Sequence, residues 1–178
     1  MDISVINPTK QLSDYLLEEV SKGDIEGVKR LLERGQNQNE VMNANGCRPL
    51  HIAAHKGDVK MLSLLLESRP DLEVKSHLLK ITPLHSAINT RSIACVRLLL
   101  DAGADFEAEN DIGERPLHVA IQRGDVEIVK ILLQYGADAR APAPVFWQSE
   151  VPRLPHELAS MLEQPKRDLM LRALDSVE

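Results

Sequence analysis

Apolar side chains along this chain recur in short blocks with helical spacing. Val59, Leu62, Leu65 and Leu66 fall on one helical face, and Val126, Val129, Leu132 and Leu133 repeat the arrangement further on. Ahead of each such block stands another that opens with proline: Pro49-Leu50-His51, Pro83-Leu84-His85 and Pro116-Leu117-His118. Proline suits the first helical position, because its φ is already right and its missing N–H would be orphaned there. Glycine punctuates the blocks. Gly57 and Gly124 permit a left-handed turn into the second helix, and Gly35, Gly103 and Gly136 close that helix as C′ residues. The pattern predicts pairs of antiparallel helices separated by extended polar segments.

The pairs keep a fixed register. Arg48-Pro49-Leu50-His51 returns as Thr82-Pro83-Leu84-His85 and as Arg115-Pro116-Leu117-His118, at spacings of 34 and 33 residues. Gly57-Asp58 and Gly124-Asp125 hold the same register, as do the closings Gly103-Ala104-Asp105 and Gly136-Ala137-Asp138. A period of this length marks a stacked array. Through these motifs the chain resembles ankyrin-repeat proteins over about residues 14–140. The resemblance implies an all-α solenoid of stacked helix-turn-helix units with extended fingers, about five helix pairs including degenerate caps.

On this reading residues 1–12 form a loosely ordered lead-in, and 13–140 form four repeats, the first a cap with helices Tyr15–Ser21 and Ile25–Leu32. After Gly136 no glycine follows, and five of the ten prolines lie between Pro142 and Pro165. Residues 141–153 therefore read as a Pro-rich connector or long finger, and 154–178 as a C-terminal helical capping pair, His156–Glu163 and Lys166–Asp175. Thr82 is expected to cap its helix; Arg48 and Arg115 cannot, a loss of about 1 kcal/mol each unless offset. The third repeat replaces three glycines with Arg69, Lys80 and Arg91. Either the backbone adjusts slightly there or the finger is reshaped.

Charge and chemistry narrow the function. The net charge is −6 with no polybasic run, which speaks against generic nucleic-acid or anionic-membrane binding. No segment approaches membrane-spanning length. Cys47 and Cys95 fall at different places in their repeats and suggest no disulfide, so an intracellular, cytoplasmic setting is expected, with the nucleus left open. Four of the six histidines, His51, His85, His118 and His156, sit in the repeated motif. Equivalent residues on stacked helices lie about 8–10 Å apart, too far to share one zinc ion. Each imidazole is expected to bridge its own turn and the next. No nucleophile elbow, phosphate-cradling loop or zinc-type cysteine pair is present, and no catalytic residue, metal or cofactor is expected.

The remaining expectations follow from the resemblance. Family asparagine hydroxylation would fit only Asn39, because Glu73, Glu107 and Arg140 occupy the equivalent place; an Asn that serves the turn is the alternative. Partners of such proteins meet the finger tips and the exposed ends of the inner helices. Here those positions are Met42, Asn45, Leu78, Leu79 and Ile112 on the fingers. On the helix ends they are Lys22, His55, Lys56, Asn89, Thr90, Gln122 and Arg123, a polar row without a carboxylate. Leu78-Leu79 either folds back on a neighbouring finger or forms an exposed patch. Phe146-Trp147 packs under the long finger or touches a partner. The expected function is non-catalytic protein–protein recognition as an adaptor, scaffold or inhibitor. The expected partner is another protein with an acidic or carbonyl-rich surface, with no nucleic acid and no membrane, and the free chain is expected to be a monomer. One alternative is a dedicated immunity or antitoxin-type inhibitor of one enzyme. A further alternative is an enzyme or metal protein with a site in the groove.

Overall fold

A computed structural model describes residues 12–143 and 153–176. Those residues form two layers of helices. The inner layer holds α1 (Leu12–Lys22), α3 (Pro49–Lys56), α5 (Pro83–Asn89), α7 (Pro116–Gln122) and α9 (Pro155–Ser160). The outer layer holds α2 (Ile25–Glu33), α4 (Val59–Glu67), α6 (Ile93–Asp101), α8 (Val126–Gln134) and α10 (Lys166–Asp175). Every helix packs on the other member of its pair and on the equivalent helix of the neighbouring pair. Between the first and second, the second and third, and the third and fourth pairs, the chain runs out and back as an extended finger.

The core is a thin continuous sheet of side chains between the layers. Inner helices contribute Leu50, Ala53 and Ala54, then Leu84, Ala87 and Ile88, then Leu117, Ala120 and Ile121, all buried. Alanine at the repeated position lets these helices approach closely. Outer helices contribute Met61, Leu62 and Leu65, then Cys95, Val96 and Leu99, then Ile128, Val129 and Leu132. Val59 is exposed and Leu66 half-buried, so the apolar face of α4 is centred one residue away from the expected one. Asp24, Asp58 and Asp125 start their helices by accepting the amides of Gly27, Met61 and Ile128 at 2.9, 3.0 and 3.3 Å.

Two helix limits differ from expectation. Helix α1 begins at Leu12 rather than Tyr15, and buries Leu16 and Val20 against the stack; residues 1–11 of the expected lead-in lie outside the described residues. Helix α9 stops at Ser160, not Glu163, because the amides of Met161 and Leu162 bond three residues back and the chain must turn into Pro165. Helix α10 then buries Met170, Ala173 and Leu174 against α8 and α9. Ala143 donates to the Arg153 carbonyl at 2.7 Å, which joins the two ends of the segment outside the described residues.

The histidines bind the stack together. The amides of Arg48, Thr82 and Arg115 donate to Nδ1 of His51, His85 and His118 at 3.2, 3.3 and 3.1 Å. The opposite nitrogens, Nε2, reach the carbonyls of Ile81, Glu114 and Ala141 at 2.9, 3.3 and 2.8 Å. Since Nδ1 accepts, the proton stands on Nε2 and is donated to the next finger. The Thr82 hydroxyl lies 2.9 Å from Nδ1 of His85 and serves the imidazole rather than capping the helix, contrary to expectation. Arg48 offsets its lack of a cap by donating Nε to the Asn39 carbonyl at 2.8 Å. Arg115 does so by pairing with Glu107 and Glu109 at 2.7 and 3.3 Å. His156 does not belong to this set. Proline fixes the register, and the third helical position in α9 is Glu157, whose Oε2 accepts the Leu154 amide at 2.9 Å. His156 pairs with Asp175 at 2.8 Å instead.

Burial holds these imidazoles neutral. It lowers the pKa of His51 and His118, and lowers that of His85 from 6.5 to about 4, against the smaller opposing effect of the carbonyl each ring bonds. A folded-state pKa below the unfolded one favours the fold only while the ring is neutral. For His85 that contribution is complete above about pH 6.5 and is lost as the pH falls towards about 4. The thermal midpoint, followed by circular dichroism, is therefore level near pH 7–8 and falls below about pH 6.5, His85 alone contributing up to about 1.4 kcal/mol per pH unit and His51 and His118 acting in the same direction. An unchanged midpoint between pH 7 and pH 5 would contradict the bridge.

Candidate partner-binding face

The fingers are built on short side-chain turns. In the first, Asn43 Oδ1 accepts the amides of Asn45 and Cys47, both at 3.0 Å. In the third, Asn110 Oδ1 accepts those of Ile112 and Glu114 at 3.1 and 2.8 Å. Each tip is closed by two backbone bonds: the amides of Asn43 and Asn110 donate to the carbonyls of Cys47 and Glu114, both at 3.0 Å, and those of Gly46 and Gly113 donate back to Asn43 and Asn110 at 2.9 and 3.1 Å. The second finger lacks the asparagine, having His77 in its place. Its tip closes from the Ser76 amide to the Ile81 carbonyl at 3.0 Å, one residue wider, and Ser76 Oγ accepts the Ile81 amide at 3.3 Å. Neighbouring tips are tied together. His77 donates to the Asn45 carbonyl at 2.9 Å and Asp111 to the Leu79 carbonyl at 3.0 Å. His77 also lies over Gly46, where an added Cβ would stand 2.6 Å from the His77 nitrogen.

The widened tip presents its leucines to solvent. Leu78 is 71% exposed and Leu79 54%, so neither folds back on another finger. Ile112, on the adjoining tip, is 47% exposed; Met42 and Asn45 are exposed as well. The three replaced glycines show how the third repeat keeps its path. Arg69, Lys80 and Arg91 hold left-handed φ values of 50°, 49° and 57°, so the backbone is retained rather than rebuilt at those points. The reshaping is confined to the wider tip. Phe146-Trp147 lies outside the described residues.

The row at the helix ends differs from expectation. Lys22 pairs with Glu18 and Glu19 at 2.8 and 3.1 Å. Lys56 donates to the Ser21 carbonyl. Arg123 donates to Asn89 Oδ1 at 2.7 Å. The Thr90 hydroxyl is 3.2 Å from the Ala54 carbonyl and bonds its own helix besides. Gln122 donates to Glu114, a carboxylate buried beneath it. The row is therefore neither free of carboxylates nor composed of idle donors. The physical reason is the position: helix C-termini carry unpaired carbonyls and the negative end of the helix dipole, and cations settle there. His55 and Lys56 remain exposed. Two residues of this face were missed. Arg91 donates to the Arg123 carbonyl at 2.6 Å. Met161 is 64% exposed and stands six residues after its proline, as His55, Asn89 and Gln122 do. Counting from the proline would have found it.

At the finger bases the third set of expected residues has a structural task. Asn39 Oδ1 accepts the Asp71 amide at 3.1 Å, Glu73 Oε1 that of Asp105 at 2.8 Å, and Glu107 Oε1 that of Asp138 at 2.8 Å. A carboxylate does the work of the amide, so Asn39 has a structural task, one that joins two finger bases rather than serving its own turn.

Stacked helix pairs, bridging histidines and fingers fit one family. The sequence matches the family described as ankyrin repeats (3 copies) over residues 16–110 and 71–143. The chain belongs to the ankyrin-repeat family. No curated protein matches it. Ankyrin repeats are in general protein–protein interaction modules and typically non-catalytic. Among the described residues of this ankyrin-repeat chain, no helix is long and apolar enough to cross a membrane. Among them, too, no three His, Cys, Asp or Glu side chains are grouped to hold a metal ion. Cys47 and Cys95 are both free, and burial raises the pKa of each thiol.

A left-handed backbone costs a residue with a Cβ about 1–2 kcal/mol, more than the entropy that glycine adds to the unfolded chain. Lys80→Gly is accordingly expected to stabilise the fold by about 0.5–1 kcal/mol in urea unfolding. A loss of stability would show that the lysine side chain supports the finger.

Proposed function

We propose that this ankyrin-repeat chain is a non-catalytic recognition module, an adaptor or inhibitor, whose protein partner docks on the tips of the second and third fingers. The observation that carries the reading is the exposure of Leu78 and Leu79 on a finger that departs from its neighbours. Apolar anchors of this kind usually carry more binding energy than charges at a rim. Ile112 extends the patch, with Met42 and Asn45 along the finger row. The helix-end row of Lys22, His55, Lys56, Asn89, Thr90, Gln122 and Arg123 is secondary. Lys56, Thr90 and Arg123 already hold neighbouring repeats together, and Lys22 and Gln122 are paired within their own repeats, so a partner gains from these donors only where it displaces those bonds. An acidic or carbonyl-rich surface suits that exchange. Free thiols at Cys47 and Cys95 suit a reducing intracellular compartment.

An adaptor and a dedicated inhibitor of one enzyme share this surface. They differ in what is captured: several proteins in the first case, one tight stoichiometric partner in the second. Affinity purification from the source cell, with the intact chain and with Leu78→Asp/Leu79→Asp, tests the anchor. The double substitution is expected to cost more than about 2 kcal/mol, roughly 30-fold in affinity, with the far-ultraviolet dichroism unchanged. A partner held equally well by both would place the site on the helix-end row instead, where Lys56→Glu slows association in a salt-dependent way.

A further inference from the structure

Two opposite charges flank the apolar tips and stand without partners. Lys80 follows Leu79 on the second finger, and Asp111 precedes Ile112 on the third. Neither side chain has a hydrogen bond or ion pair among the described residues. The surrounding charges are engaged: Lys75 donates to the Glu109 carbonyl at 2.8 Å, and Glu109 pairs with Arg115 at 3.3 Å. The His77 ring lies over Gly46. The Asp111 amide bonds the Leu79 carbonyl, so Asp111, Leu79, Lys80 and Ile112 belong to one small surface.

Lys80 also occupies a position where a side chain is a burden. Its φ is 49°, where Gly46 and Gly113 stand at 72° and 79° without strain. Stability alone favours glycine there. A lysine held in a strained backbone at an exposed tip points to use of its charge.

We propose that the tips of the second and third fingers pair with the same tips of a second copy of this chain, forming a weak two-fold dimer. A two-fold axis between the fingers sets the second finger of each copy over the third finger of the other. Lys80 then meets Asp111 of the other copy, twice, and Leu78 and Leu79 meet Ile112. Such an interface must be complementary to itself, and this surface carries both members of the pair. Charge complementarity thus singles out a second copy as the occupant. Three apolar side chains per copy fall well short of the area that stable dimers bury, so a dissociation constant on the order of 100 µM is expected. The dimer covers the leucines until a partner displaces it. The proposal shares its surface with the docking function above, but its test needs no partner.

Sedimentation equilibrium of the full chain from about 10 µM to about 1 mM is the experiment, that range bracketing the expected constant. The weight-average mass is expected to rise from 19.8 kDa towards twice that value. Lys80→Glu and Asp111→Lys should each weaken association at least about tenfold, as like charges then face each other. The double exchange Lys80→Glu/Asp111→Lys should return it to within about threefold of the parent, because the pair is restored with its signs reversed. Thermal melts of each variant show whether it is folded. An ideal monomer at the highest concentration overturns the proposal. Single exchanges without effect, or a double exchange that does not recover, overturn it too. A monomer that still captures a partner through Leu78 and Leu79 leaves the docking function standing. A dimer whose leucine substitutions leave capture unchanged overturns the docking function instead.

Discussion

The neutral imidazole between one helix cap and the next finger is the contact on which the stack depends. It has to accept from an amide and donate to a carbonyl at once, at opposite ends of a flat ring. Among side chains of this size a neutral histidine does both. Protonation removes the acceptor, and burial prevents protonation, so the same apolar packing that excludes water also keeps the bridge in its working form. Repetition of the Pro-Leu-His motif is thus a physical requirement. Proline places the histidine three positions into the helix environment where Nδ1 finds the cap amide, and the next repeat supplies the carbonyl within reach of Nε2.

The ladder ends where the chemistry does. Glu157 takes the histidine position in the last helix pair and caps its own helix, but a carboxylate has no proton to give to a further carbonyl. Two other ladders run beside the histidines. Asn39, Glu73 and Glu107 join finger bases, and Lys56, Thr90, Arg91 and Arg123 join the C-termini of inner helices. Each links one repeat only to its neighbour, as expected of a solenoid in which stability is summed over interfaces. These ladders consume polar groups that a flat reading of the surface would assign to a partner.

This explains which features were legible in the sequence. The repeat period, the helix pairs and the bridging role of His51, His85 and His118 all follow from local pattern plus the register of one repeat on the next. The occupancy of Lys56 and Arg123 did not, because their acceptors lie 35 and 34 residues away and depend on how two helix ends meet. His156 fits the motif by residue type, but position counted from Pro155 gives the role to Glu157. The width of the second finger was half legible. The absence of an asparagine at His77 and of a glycine at Lys80 marked the finger as different, but only the Ser76–Ile81 bond shows how.

A stack whose repeats are tied together by polar ladders leaves recognition, on the proposed function, to the places where the repeat rule is broken. The second finger breaks it at His77, at the wider closure and at Lys80, and the most exposed leucine of the described residues sits among these changes. Since the tips of adjacent fingers are hydrogen-bonded to one another, the departure is held in place rather than left loose. Energetically this is an economical arrangement: the ordering entropy of the finger is met by folding, before any partner arrives. Affinity at such a surface then depends on the side chains at the tip, while the backbone that carries them is shared with every other repeat. On the proposed function, specificity is a property of one finger, and stability a property of the ladders beneath it.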